Sequence, residues 1–471
     1  MGRRRISWPW LAGATVATAL GGLLVTGPRA AVPGGNCDIP LPSGTPVILV
    51  TIDTLRQDHM GSDGYDRDTT PFLDRLASDG IRFTSCFAQS SWTLPSMLSL
   101  ISSLQPPAFD VRDGIVPIDA QTASETKGGH QRAGGRVEVF SDKHLTLPEV
   151  FRDRGYRTIG ISTSGILTKG LGWAQGFEVF HQEECLWKKA DCALSLALSE
   201  VASAGDAPFF LWVHLFDPHF DTYGAPPVYE AEPGYRKLFE TPAESPEAEQ
   251  VIADYDRKIR YTDDQLRSFF DALDKRGVLD RALVVIAADH GEEFFEKGRW
   301  GHSKALTNTL VRVPLIFRLP ERCAAGRVVG DVVGNIDVLP TVLDLLGVPV
   351  PPGPQGRSLR PAWEAGGNLP ATPVYGETRR SGRDLRYLID PALDRKLVLD
   401  RNAGTVSLYA LSTDPAEEND LAENFPEQTA DLKRRLLTLV ESTRRRDVAG
   451  AKGTISERDA ARLESLGYLE R

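Results

Sequence analysis

A chain of 471 residues, 41% hydrophobic and 25% charged, has room for one large α/β domain and a smaller companion. A formal net charge of -10 excludes the basic face that nucleic acid requires, so no nucleic-acid partner is expected. Five cysteines without a C-x-x-C spacing argue against a thiolate zinc site.

Arg3-Arg4-Arg5 precedes an apolar run from Ile6 to Val25. That is the plan of a secretory signal, and the run is nearly long enough to remain as a single membrane anchor. Residues 1–31 are therefore assigned to a signal peptide or N-terminal anchor. The body is expected to be exported: periplasmic, secreted, or held at the membrane by this segment. In an oxidising compartment Cys185 and Cys192, close together in a polar loop, are expected to pair.

The first buried-strand candidate is Val47 to Ile52, and it ends at Asp53. Thr70 to Ala77 follows as a short helix with apolar residues at helical spacing. Ile81 to Ala88 is an extended segment. It leads into Ser90-Ser91-Trp92-Thr93-Leu94-Pro95-Ser96, where Pro95 marks the first turn of another helix. Thr93 therefore lies at or just before a helix N-terminus, where backbone N–H groups favour an anion. A hydroxyl there fits a nucleophile; it also fits a plain N-cap.

Phe109 to Lys143 is polar and glycine-bearing, and is expected to be a surface loop near the site. Leu147 to Arg154 is predicted helical and Tyr156 to Ser162 extended. Phe209 to Phe216 is a third apolar run, ending at Asp217-Pro218-His219. The stripe Tyr255, Ile259, Thr262, Leu266, Phe269 and Leu273 has a period near 3.6, the mark of a core-packed helix.

Ala282 to His302 is the stretch on which the rest turns. Leu283 to Ala288 runs without a charge, as a strand buried on both faces of a parallel sheet does. It stops at Asp289-His290-Gly291. Arg312 to Phe317 is another core strand, and Ile336 to Leu346 a helix that closes the large domain. After a proline-rich boundary from Pro349 to Pro354, Leu385 to Ile389, Lys396 to Leu399 and Val406 to Leu411 alternate as a small antiparallel sheet does. A charged helix is predicted from Pro426 to Arg446, with a short amphipathic stretch at Ser456 to Leu469. The expected architecture is a three-layer α/β/α sandwich around a large, mostly parallel sheet. Residues 44–348 form its catalytic domain, and residues 370–471 a smaller C-terminal α+β subdomain with an antiparallel sheet.

Three apolar strands thus end in Asp53, Asp217 and Asp289, with His219, His290 and His302 close behind. Parallel strands present their carboxyl ends along one rim, where ligands bind. Acids with imidazoles suit a divalent cation. The imidazoles favour Zn or Mn over Ca or Mg, with one ion or two. Chance placement of three acids at strand ends is the bland alternative.

Ile52-Asp53-Thr54-Leu55-Arg56, Trp92-Thr93-Leu94-Pro95-Ser96, Asp217-Pro218-His219, Asp289-His290-Gly291-Glu292-Glu293, Gly301-His302 and Arg312-Val313-Pro314 occur in this order. Together they resemble the sulfatase-like branch of the alkaline phosphatase superfamily. Leu408 to Leu421 and Leu463 to Leu469 resemble that branch's C-terminal subdomain. The resemblance implies that Asp53, Asp289 and His290 bind a metal together with the nucleophile, Thr93. It implies that His219 and His302 contact the transferring group, or hold a second metal with Asp217. His214 is read as core, and Asp58 and His59 as structural.

Sulfatases carry Cys or Ser in a C-x-P-x-R pattern, oxidised to formylglycine. Here Thr93 and Met97 stand at those positions, and threonine lacks the CH2 group from which the aldehyde is made. Threonine instead resembles the phosphodiesterase and phosphoethanolamine-transferase relatives. Three functions follow. The first is metal-dependent hydrolysis of a small-molecule, glycan or lipid sulfate or phosphate ester. The second is transfer of a phospho-headgroup onto a cell-envelope glycan or lipid. The third is a catalytically silent binding protein.

Overall fold

The computed structural model describes residues 39–109, 136–139, 143–185, 189–219, 233–239, 241–242, 245–364, 367–380, 382–443 and 451–454. The N-terminal segment 1–31, most of the Phe109 to Lys143 stretch, and Ser456 to Leu469 lie outside them.

A nine-stranded sheet forms the centre. In chain order its strands are β1 (Val47–Ile52), β2 (Ile81–Phe87), β3 (Arg157–Ser162), β4 (Val179–His181), β5 (Phe209–Leu215), β6 (Leu283–Ala288), β7 (Arg312–Arg318), β8 (Arg327–Val329) and β9 (Val333–Gly334). The lateral order is β8-β2-β7-β6-β1-β5-β3-β4, with β9 also on β2. Only β7 runs against its neighbours, pairing antiparallel with both β2 and β6. The expected mostly parallel sheet is present.

The three acid-ending strands are adjacent and in step. Ile52 of β1 lies opposite Leu215 of β5 on one side and Ala288 of β6 on the other. β1, β5 and β6 are buried along their whole length. Each Val, Leu or Ile so placed stabilises the fold by about 1.5–3 kcal/mol. With no slip between the strands, the residues that follow them emerge at one level.

The helices are α1 (Pro71–Ser78), α2 (Thr93–Ser102), α3 (Leu147–Arg152), α4 (Ala190–Ala204), α5 (Glu247–Lys275), α6 (Val338–Leu345) and α7 (Pro426–Thr443). α1 and α4 pack on α5, while α2 packs on α3 and α6, giving the two outer layers. α4 was not anticipated. Its sequence, ADCALSLALSEVASA, is rich in small residues and shows no sharp apolar stripe. Arg136–Val139, inside the expected surface loop, pairs antiparallel with Ala451–Thr454.

A separate antiparallel sheet follows, made of β10 (Val374–Thr378), β11 (Leu385–Asp390), β12 (Arg395–Asp400) and β13 (Val406–Ala410). α7 covers it through Leu432, Leu436 and Val440, which pack with Leu388, Leu397 and Leu408. β10 was not separately foreseen. Among the described residues no helix is long and apolar enough to cross a membrane.

Candidate active site

Asp53 and Asp289 meet at the rim, each following directly on its strand and fully buried. Asp289 Oδ1 accepts the N–H groups of Thr54 (3.1 Å) and His290 (2.8 Å). Thr54 has φ 56°, a costly value for a β-branched residue. Its carbonyl accepts the Tyr255 hydroxyl at 2.6 Å, and that hydroxyl also accepts the Arg56 N–H at 2.9 Å. Tyr255, assigned from its stripe to core packing, therefore also pins the turn that follows β1.

Thr93 is the first residue of α2, a helix buried throughout. Ser96, one turn on, donates to the Asp289 carbonyl at 2.5 Å and ties the helix to the end of β6. The Thr93 hydroxyl lies 3.5 Å from Asp53 Oδ2 and 3.2 Å from His290 Nε2. His290 Nδ1 donates to the Gly291 carbonyl at 2.8 Å, which leaves the Nε2 lone pair facing Thr93. Gly291 is required there: a Cβ would come within 2.0 Å of the Thr309 carbonyl oxygen.

His290 Nε2 is 3.5 Å from Asp289 Oδ2 and 4.0 Å from Asp53 Oδ1. Those two carboxylate oxygens are buried and have no hydrogen-bond partner among the described residues. Burial, and then the neighbouring Asp289 carboxylate, push the Asp53 carboxyl well above the ordinary range. Two buried carboxylates with orphan oxygens, one imidazole lone pair and one hydroxyl form a donor set that fits a divalent cation.

His214 belongs to the same place, although its apolar strand suggested core. Its Nε2 lies 3.2 Å from Asp53 Oδ2 and its Nδ1 2.9 Å from the Thr51 hydroxyl, which accepts Trp212 Nε1–H at 3.0 Å. Burial lowers its pKa to about 4, so the ring is neutral and donates one proton. This chain orients Asp53 as outer groups orient metal ligands. Asp53, His214 and Asp289 all bring a ligand atom within 4.8 Å of one another. The only signal in the sequence was one polar ring in FFLWVHL; its register with Thr51 appears in the structure.

Asp217 Oδ1 accepts the Ala190 N–H at 3.0 Å, at the start of α4, while its Oδ2 is buried with no hydrogen-bond partner among the described residues; it is outside the Asp53–His214–Asp289 group. A carboxylate at a helix N-terminus satisfies an otherwise orphan donor and keeps one oxygen for a further contact.

His219 and His302 stand together beyond Thr93. Their ring centroids are 5.0 Å apart, and His302 is 4.6 Å from His290. Phe216 stacks on His219 at 4.2 Å. His302 Nδ1 faces both oxygens of the buried Glu292, at 3.0 and 3.3 Å, which turns Nε2 away from that carboxylate. Burial, then the Arg380 charge, lower the His302 pKa to about 3. Burial, followed by His302 and His290, lowers that of His219. Glu292 was quoted in the Asp289 to Glu293 motif without a role, and Arg380 and Lys258 were not singled out from the sequence.

The family model named Sulfatase matches residues 45–348. Arylsulfatase K of Xenopus laevis is 24% identical over 434 residues, covering 79% of this chain and 78% of that protein. The multifunctional alkaline phosphatase superfamily protein PehA of Trinickia caryophylli is 24% identical over 404 residues, covering 67% of this chain and 76% of its own. The phosphonate monoester hydrolase of Agrobacterium radiobacter superposes with a TM-score of 0.63 at 20% identity, over 88% of this chain and 100% of that one. A rim of acids and imidazoles around a helix-borne hydroxyl, on a fold shared with these proteins, places the chain in the sulfatase family of ester hydrolases, within the alkaline phosphatase superfamily.

Proposed function

We propose that this chain is a metal-dependent hydrolase in which Thr93 is the nucleophile, and that it favours phosphate mono- or diesters over sulfate esters. The observation that carries the reading is the Thr93 hydroxyl, 3.2 Å from His290 Nε2 and 3.5 Å from Asp53 Oδ2, at the N-terminus of a buried helix. Asp53, Asp289 and His290 would hold one divalent cation with Thr93; imidazole among the donors favours Zn or Mn over Ca or Mg. That cation would supply Lewis acidity, lowering the pKa of the Thr93 hydroxyl and offsetting charge on the ester oxygens.

The residues do the rest. Thr93 Oγ1 forms a bond to phosphorus as the bond to the leaving oxygen breaks. The first N–H groups of α2 face the non-bridging oxygens. Once the ester's negative charge offsets the burial that lowers their pKa, His302, steadied by Glu292, or His219 takes up a proton and gives it to the leaving oxygen. Water then cleaves the phospho-threonine and restores the hydroxyl.

Threonine at this position also supports the phosphoester preference, because formylglycine cannot be made from it. The Cys185–Cys192 disulfide supports an exported location, with residues 1–31 as signal or anchor. Residues 44–348 would hold the catalytic machinery and residues 370–471 would complete it.

The test is a panel of 4-nitrophenyl phosphate, bis-4-nitrophenyl phosphate, phenylphosphonate ester and aryl sulfate, run with Zn, Mn, Mg and Ca. Phosphodiester turnover is expected to exceed sulfate turnover. Thr93→Ala should reduce it by roughly a thousandfold or more, and Thr93→Ser should retain part of it. Full activity in Thr93→Ala rejects the nucleophile. A wild type inert toward every ester with every metal favours a silent binding protein, and product appearing on an added alcohol rather than on water favours transfer.

A further inference from the structure

We propose that Arg56 is a positioning residue. It ties the turn after Asp53 to the chain after His290, and so sets the His302 ring that gives the leaving oxygen its proton. This rests on the ester-hydrolase reading above.

Arg56 lies three residues past Asp53, and Glu292 three past Asp289. Because β1 and β6 end in step, both turns leave the rim at one level. Arg56 spans them. Its backbone N–H donates to the Tyr255 hydroxyl at 2.9 Å, which itself donates to the Thr54 carbonyl at 2.6 Å. Its Nη1 donates to the Glu292 carbonyl at 3.0 Å and pairs with Glu296. Its Nε and Nη2 donate to the two oxygens of Asp58, at 2.9 and 2.7 Å. The guanidinium stands 5.5 Å from the ring centroid of Phe294, and the residue is 4% exposed.

Glu293–Phe294 pairs antiparallel with Trp300–Gly301, and Glu293 lies opposite Gly301. The next pair out is Glu292 and His302, which meet through the imidazole Nδ1. Glu292 thus carries both the carbonyl that Arg56 grips and the carboxylate that orients His302. Glu293 is held separately, by Arg299 at 2.8 and 3.0 Å and by Thr307 at 2.9 Å. The ribbon therefore has ties of its own, and Arg56 adds the placement of Glu292.

A buried ion pair adds little net stability, because desolvation offsets the attraction. What it supplies here is geometry: a planar fork fixes several partners at once, which an ammonium cannot do. A general acid needs its ring aimed within hydrogen-bond reach of the leaving oxygen, and the groups behind the ring set that aim.

The test uses metal-loaded full-length protein. Arg56→Gln should lower kcat about tenfold or more for an alkyl phosphodiester, whose leaving oxygen needs a proton, and less than about threefold for bis-4-nitrophenyl phosphate. KM and metal content should stay near those of the wild type. In a His302→Ala background the same substitution should cost less than about twofold, because the step it serves is gone. Arg56→Lys keeps the charge but loses the fork. It should fall between the two and carries the test if the glutamine variant does not fold. Equal losses for both esters, or losses that add to those of His302→Ala, overturn the proposal. NMR of isotope-labelled histidine gives a readout free of turnover: the His302 Nδ1 proton should exchange slowly with water in the wild type and faster in Arg56→Gln. Unchanged exchange in a folded variant also overturns the proposal. If the wild type turns over no ester, the hydrolase reading fails, while the link from Arg56 to His302 still stands or falls on that proton.

Discussion

That Asp53 and Asp289 lie at strand ends was legible, because each carboxylate directly follows a run of core-type residues, interrupted only by Thr51. Thr93 was legible because Pro95 announced a helix and the hydroxyl preceded it. His214 was not, since a lone ring in an apolar strand is ordinarily core, and only its register with Thr51 reveals a chain leading to Asp53. Asp217 carries the same strand-end signal, but its contact with the start of α4 could not be read from the sequence. At this scale the account predicts a role for His302 that depends on the leaving group. His302→Ala should lower kcat for alkyl phosphodiesters about a hundredfold, but by less than about tenfold for 4-nitrophenyl esters, whose oxygen leaves without a proton. Equal losses for both would remove His302 from proton transfer and leave it a binding group.

Among the elements, the strands and long helices followed from apolar runs and from period, and the boundaries fell close to those expected. What could not be read was pairing direction. The middle of β7, Val313 to Phe317, is an uncharged core run like β6, and nothing in it shows that the strand runs opposite to the rest. The docking of β10 on Gln89 was equally hidden, because it depends on Gly376, where a Cβ would come within 2.2 Å of the Gln89 oxygen. Gly376→Ala should destabilise the protein by about 2 kcal/mol or more, seen in denaturant midpoints, and should lower activity by displacing the C-terminal sheet.

A second element-scale prediction concerns α1 and α5. Asp263 of α5 accepts the Phe72 and Leu73 N–H groups, both at 2.8 Å, at the start of α1. Burial pushes its carboxyl up to about 7, against the two backbone donors that lower it. The native state therefore keeps a proton that the unfolded chain releases near pH 4. Its contribution is full below about pH 4 and is lost as pH rises toward 7. Asp263→Asn should flatten that part of the stability–pH profile while costing about 1–3 kcal/mol for the weakened helix start. An unaltered slope would show that Asp263 titrates normally.

At the scale of the whole molecule, the sheet serves to bring distant segments to one rim. Some 236 positions separate Asp53 from Asp289 in the chain, yet the in-step pairing of β1 with β6 sets them side by side. The C-terminal sheet docks on the segment that leads to Thr93, with the Glu377 N–H on the Gln89 carbonyl at 3.0 Å and the Tyr387 hydroxyl on the Ala88 carbonyl at 2.7 Å. The family model covers residues 45–348, and the relatives named above align across two thirds or more of this chain. The central claim is that Asp53 and Asp289, with His290, hold a divalent cation beside Thr93. Elemental analysis of purified protein after dialysis tests it most directly. The account predicts close to one Zn or Mn per chain in the wild type and in Thr93→Ala, and a loss of most of it in Asp289→Asn. A wild type that retains no divalent metal, or an Asp289→Asn protein that keeps its full complement, would contradict it.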